Sequence, residues 1–242
     1  MSIRAKSGNS WLTVLLLIAA IAIWAYDQKK ALDRPTKPTT SRTEKSTPPP
    51  KEKPSTAPSS GTSKGLEKIG GYEVYRNCTL VEARNNDGDS FMVRLPTGKQ
   101  AEFRLYFVDT PESAFKSYAG GETNHERIRQ QAAELGGITP EQAVEIGKKG
   151  KAFTLALLAS RPFTIFTEWD SPYNDNRFHA HIEVQQDGKT RWLHQLLVER
   201  GLVRMKTKPA DLPDGTSATK EKENLRNLER EAKRKETGVW GL

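Results

Sequence analysis

From Gly71 onward, apolar residues return at every second position in three short runs, Thr79 to Ala83, Phe91 to Leu95 and Ala101 to Val108. Such a period turns one face of each run toward a core and the other toward water. Asn85-Asn86-Asp87-Gly88 and Pro96-Thr97-Gly98-Lys99 separate the runs, so three consecutive antiparallel strands are the simplest arrangement. Phe163 to Thr167 and Phe178 to Val184 supply two more strands, and Asp187-Gly188 supplies the turn after them. Helical patterns lie between and after these strands. Thr139-Pro140-Glu141-Gln142 forms a capping box with proline at the first helical position, followed by an apolar stripe of Ala143, Ile146, Phe153, Leu157 and Leu158. Leu193 to Arg200 is a short helix closed by Gly201. Thr219 to Lys235 is a longer amphipathic helix with Leu225, Leu228 and Ala232 inward, and Trp240 is placed to pack back as a plug. The expected fold is α+β and mainly β: a five-stranded, partly open barrel of the OB type with about three helices.

This pattern is confined to residues 67 to 242. Trp11 to Tyr26 is an uncharged apolar run that follows Arg4 and Lys6 and has aromatic residues at both ends. As a helix its 16 residues would extend about 24 Å, slightly less than a ~30 Å hydrocarbon layer. Bulky Ile23, Trp24 and Tyr26 follow the small-residue pattern Ala20-Ile21-Ala22, which favours an uncleaved membrane anchor over residues 1–26, with a cleaved signal segment as the alternative. Residues 27–66 are rich in Pro, Thr, Ser and Lys with almost no large apolar residue, the composition of a disordered tether. The export pattern places the folded part outside the cytoplasm, either tethered or secreted.

The net charge of +8 suggests nucleic-acid binding until it is divided along the chain. Residues 1–70 hold 12 basic and 5 acidic residues, while residues 71–242 hold 26 and 25. The folded part is therefore almost neutral, and a general basic surface is excluded as the argument for function. A single cysteine, Cys78, excludes an internal disulfide and a cysteine-rich zinc site and reads as a small core residue.

Acidic residues and an arginine gather at adjoining strand ends. Asp87-Gly88-Asp89-Ser90 precedes the second run, and the third reads Phe103-Arg104-Leu105-Tyr106-Phe107-Val108-Asp109-Thr110-Pro111-Glu112. Phe103, Leu105 and Phe107 claim one face, so Arg104 is forced to the other. Asp89, Asp109 and the Thr110 carbonyl are hard oxygen donors of the kind Ca²⁺ accepts, and an arginine fork matches a phosphate. Singly, each is an ordinary turn or surface residue; together they suggest metal-assisted phosphodiester cleavage.

The same residues resemble the staphylococcal nuclease (thermonuclease) family. The likeness extends through Asp175-Asn176-Arg177, Val198-Glu199-Arg200-Gly201-Leu202 and Gly238-Val239-Trp240, over residues 72 to 242. The resemblance implies that Asp89, Asp109 and the Thr110 carbonyl bind Ca²⁺, with Asp87 supporting the loop. It also implies that Glu112 orients or deprotonates the attacking water, and that Arg104 and Arg177 neutralise the transition state. The expected activity is hydrolysis of DNA or RNA, as an endonuclease releasing the 5′ oxygen to leave 3′-phosphate ends. A monomer is expected, with no protein partner inferable.

Three departures qualify this picture. Asn176 stands where a glycine is usual before the second arginine, with Phe178-His179 after it. Val203 to Pro209 lacks tyrosines, leaving Lys206 and Lys208 to hold a backbone electrostatically or to be solvated. The segment from Ser113 to Ile138, helical over about Asn124 to Leu135, reads as a plain surface insertion, with a substrate lid as the alternative. His179 and His181 lack a third ligand and read as structural. Two non-enzymatic readings stand beside the nuclease: an inactive nucleic-acid or protein-binding module, and an assembly part of an envelope complex.

Overall fold

The computed structural model of the protein describes residues 67–242, so the anchor over residues 1–26 and the tether over residues 27–66 lie outside the described residues. In chain order the elements are β1 (Lys68–Ile69), β2 (Tyr72–Leu80), β3 (Ser90–Arg94), β4 (Gln100–Leu105), β5 (Val108–Asp109), α1 (His125–Glu134) and α2 (Pro140–Ser160). There follow β6 (Phe163–Thr167), β7 (Arg177–Gln186), β8 (Lys189–Trp192), α3 (Leu193–Glu199), β9 (Arg204–Met205), α4 (Ala218–Arg234) and a 3₁₀ turn at Gly238–Gly241. Among the described residues no helix is long and apolar enough to cross a membrane.

Five strands close into a mixed, OB-like barrel in the order β2, β3, β4, β7, β6 and back to β2. With four helices outside it, the fold is α+β. Closure depends on two long strands that change partners along their length. The first half of β2 pairs with β6 and its last two residues with β3, and the register shifts between Tyr75 and Cys78, where Asn77 has φ of 60°. A bulge of this kind bends the strand sharply enough to serve both neighbours. The start of β7 runs parallel to β4, and its middle turns antiparallel to β6. Phe91, Val93, Phe103, Leu105, Ile165 and Ile182 fill the interior, together with Cys78, whose thiol is pushed up to about 12 by burial.

Several expectations need correction. The run Ala101 to Val108 is not one strand: β4 ends at Leu105, and β5 belongs to a separate two-stranded sheet with β9. Phe107 takes φ of 71°, and the Thr207 hydroxyl donates to the carbonyls of Leu105 and Val108, holding the break open. The strand expected from Thr79 begins at Tyr72, as β2, and the two-residue β1 precedes it. Asp187-Gly188 does form the turn, with both residues at positive φ, and it leads into β8, a strand the alternation did not disclose. Among the described residues there are four α-helices rather than about three, because α1 is a full element. On α2, Ala143, Ile146 and Leu158 are buried as expected, but Gly147, Gly150 and Thr154 share the inward face, while Phe153 and Leu157 lie at its margin. At the C-terminus Val239 is the buried plug, with Trp240 beside it.

His179 and His181 project from the same side of β7 into the core, where their rings flank Tyr106 at 5.2 and 4.6 Å between centroids. His181 Nε2 lies 3.0 Å from the Asp211 carbonyl and so carries its proton, while neither ring nitrogen of His179 has a partner. Burial pulls His179 down to about 4 and His181 down to about 3. Below the ordinary histidine value of about 6.5 the unfolded chain takes up protons that the folded protein refuses, so stability is lost as pH falls through that window. Replacing His179→Phe keeps a flat ring and removes the group that resists protonation. The thermal midpoint of that variant is expected to fall less than the parent's between neutral pH and the His179 value of about 4. An identical fall would show that His179 plays no part in acid sensitivity.

Candidate active site

The break after β4 builds the site. Arg104 leaves β4 on the side opposite Phe103 and Leu105, and the reversal at Phe107 brings Asp109 back toward it. The Arg104 Nη2 atom lies 2.5 Å from Asp109 Oδ1 and 3.3 Å from Asp89 Oδ2, so one guanidinium bridges the two carboxylates. Asp89 sits in the turn before β3, whose register sets Ser90 opposite Arg104. That turn is fixed internally, with the Asp87 N–H donating to the Ser90 carbonyl at 2.6 Å and the Gly88 N–H to Asp87 Oδ1 at 2.9 Å. The Thr110 hydroxyl donates to Asp89 Oδ1 at 2.8 Å. Across the β5–β9 register, Arg204 faces Asp109 and donates to its Oδ2 from Nε and Nη2 at 2.8 and 2.6 Å. The parallel pairing of β4 with β7 sets Arg177 opposite Glu102, two positions from Arg104, and its guanidinium is held by Asp175.

Helix α2 backs this loop closely because it offers glycine. A Cβ on Gly147 would lie 2.5 Å from the carbonyl oxygens of both Pro111 and Glu112, and one on Gly88 would lie 2.5 Å from the Thr110 methyl. Thr154 completes the contact by donating to the Gly88 carbonyl at 2.8 Å.

Above the bridged carboxylates opens a polar cavity of about 300 Å³. Asp89, Arg104, Thr110, Glu112 and Arg177 all line it, with Asn85, Asp87, Ser90, Glu102, Lys116, Arg127 and Asp175; Asp109 stands behind, 3% exposed. The acidic and arginine residues singled out around the strand ends are thus brought to one place. Five carboxylates and four cations leave the lining with a formal charge of −1, which repels a phosphodiester unless a further cation enters. Burial, aided by the neighbouring Asp109, pushes the Asp89 carboxyl up to about 7 against the pull of Arg104 and the Thr110 hydroxyl. Asp89 Oδ2 and Arg104 Nε are buried without hydrogen-bond partners, one an acceptor and the other a donor. Among the described residues no three His, Cys, Asp or Glu side chains cluster as a metal cage. The oxygen donors that could serve a hard divalent cation are the Asp89 and Asp109 carboxylates, which the Arg104 guanidinium bridges here.

Sequence reasoning missed several contributors. Arg204 carried no signal, since it reads as one more basic residue after Gly201-Leu202. The segment Ser113 to Ile138 is not a plain surface insertion, because it wraps Glu112. The buried Gln131 side chain accepts from the Glu112 N–H at 3.0 Å. The buried Asn124 donates to Glu112 Oε2 at 3.3 Å and to the Ala114 carbonyl at 2.9 Å, and accepts from the Lys116 N–H at 2.7 Å. Tyr173, half exposed, sets its ring 5.9 Å from the Arg104 guanidinium. Lys206 and Lys208, expected to face a nucleic-acid backbone or solvent, pair with Glu134 and Asp170. A scan against models of known protein families finds no match, and a search of curated proteins finds none.

Replacing Gly147→Ala tests the close packing of α2. Alanine gains up to about 1 kcal/mol of helix propensity, but forcing a methyl against rigid main chain costs about 1 to 3 kcal/mol. Because both facing atoms are backbone carbonyls that cannot swing aside, a net loss of stability is expected in urea unfolding. A variant as stable as the parent would show that the Pro111–Glu112 loop yields.

Proposed function

We propose that the protein is a calcium-dependent phosphodiesterase that hydrolyses DNA or RNA, tethered by Trp11 to Tyr26 with its folded part outside the cytoplasm. The observation that carries this reading is the convergence of Asp89, Asp109, Thr110, Glu112, Arg104 and Arg177, from β-strand ends and turns far apart in sequence, around one open polar cavity. The lining sets five carboxylates against four cations, so an added cation would lower the repulsion a phosphate meets there. Asp89, Asp109 and the Thr110 carbonyl would hold the ion, which when bound supplies charge to the nonbridging oxygens and polarises the phosphorus.

The chain's own groups divide the remaining work. Arg104 presents an unspent, buried Nε–H, and Arg177 stands two register positions away, so two forks reach the phosphoryl oxygens from neighbouring strands. Glu112 has a side chain 13% exposed, open enough to meet water, with its carboxylate bonded by Asn124 and its main-chain N–H by Gln131. It orients or deprotonates the nucleophile. Release of the 5′ oxygen, leaving 3′-phosphate ends, follows the family resemblance.

Incubating the full chain with single- and double-stranded substrates in calcium, magnesium or chelator, and mapping product ends, tests the reading. Cleavage in calcium that stops with chelator is expected. Glu112→Gln is expected to lower kcat by about 10² to 10⁴-fold with substrate binding kept. Unchanged cleavage by that variant would remove Glu112 from the mechanism.

A further inference from the structure

The inserted helix α1 carries a third guanidinium to the reaction centre, and we infer that Arg127 is a substrate-phosphate contact. The inference rests on the phosphodiesterase reading above and extends it to a polynucleotide backbone as the ligand. Arg127 Nη2 lies 3.9 Å from Asp109 Oδ1, the oxygen that Arg104 approaches from the barrel side, and its Nε lies 3.4 Å from Glu112 Oε1. Two guanidiniums, one from β4 and one from α1, therefore converge on the same carboxylate oxygen.

Arg127 differs from its neighbours in how its donors are used. Arg104 and Arg204 spend hydrogen bonds on Asp109, and Arg177 spends its own on Asp175. Arg127 makes no hydrogen bond among the described residues, and its side chain is 53% exposed at the mouth of the cavity. A structural arginine is expected to use its fork. Glu112 has other anchors, because the buried Gln131 fixes its main-chain N–H and the buried Asn124 donates to Oε2, the oxygen Arg127 Nε does not approach. The helix beneath is firmly seated: Ile128 and Ala132 pack on Ala143 and Val144 of α2, and Glu134 pairs with Arg204 and Lys206. A rigid helix thus presents an always-charged fork over the centre, engaged only by long ion pairs to Glu112 and Asp109. Held there, it meets a phosphate that Arg104 and Arg177 leave exposed, or the next phosphate along the strand.

The test uses the full chain, and Arg129→Gln serves as control. Arg129 lies on the same helix, loses the same charge when substituted, and pairs with Glu126 rather than with the site. Binding of a fluorescent single-stranded oligodeoxynucleotide is measured in calcium in the Glu112→Gln background, where turnover does not interfere. Adding Arg127→Gln is expected to weaken binding about tenfold, the worth of roughly 1.4 kcal/mol. It is also expected to reduce the slope of log affinity against log salt by roughly 0.7, as loss of one single-strand phosphate contact requires. Arg129→Gln should leave both near the parent values, and Arg127→Lys should restore part of the salt slope. If Arg127→Gln and Arg129→Gln behave alike, the inference is overturned. If Arg127→Gln lowers kcat in the otherwise native chain while affinity and salt slope stay fixed, Arg127 is a positioning residue for Glu112 and the inference is again overturned. Absence of any oligonucleotide binding by the Glu112→Gln protein would instead remove the phosphodiesterase reading itself.

Discussion

Two carboxylates held out of water beside each other are the constraint around which the rest of the protein is arranged. Asp89 and Asp109 are both almost fully buried, and like charges so placed repel with little solvent to screen them. The protein answers with directed donors. Arg104 bridges the two, Arg204 takes the far oxygen of Asp109, and the Thr110 hydroxyl takes one oxygen of Asp89. The compensation is uneven: Asp89 Oδ2 meets Arg104 only as an ion pair at 3.3 Å, without a hydrogen bond, and burial keeps its carboxyl raised.

The scaffold is subordinate to that arrangement in identifiable ways. The five-strand barrel ends β4 early so that Asp109 can reverse toward Arg104, and Phe107 accepts a backbone conformation unusual for a bulky residue in order to do so. The β5–β9 pair is too short to matter as a sheet, yet its register decides that Arg204 meets Asp109. Along α2 the buried stripe runs through Gly147 and Gly150, giving up side-chain packing so that main chain can approach main chain. Stability is concentrated elsewhere, in the aromatic and aliphatic filling of the barrel and in α3, whose Leu193, Leu196 and Leu197 are buried.

Much of this was legible in the amino-acid order, for definite physical reasons. Period-two alternation marks half-buried strands, so the five barrel strands were recoverable even where their ends were not. Arg104 had to face away from Phe103 and Leu105, and the two acidic clusters sat where strand ends meet turns. What failed to show depended on contacts between distant segments. Nothing local says that a phenylalanine will take a left-handed backbone conformation; Thr207, about a hundred residues on, makes that break tenable. Arg204 resembles any basic residue until β9 pairs with β5. Asn124 and Gln131 look like polar residues on a solvated helix, and only the docking of α1 on α2 turns them inward toward Glu112. The mistaken stripe on α2 has the same origin, since a pattern search favours large residues and overlooks glycine as a contact surface.

The parallel alignment of β4 with β7 has one more consequence. Arg104 and Arg177 become neighbours through that pairing, and Asp109 finds Arg204 only when residues 95 positions apart have met. No fragment shorter than residues 89 to 204 contains the set, so the cluster of charges cannot assemble until β9 has been made. The order in which the chain is laid down thus leaves two buried carboxylates to wait for their second guanidinium until the final short strand pairs.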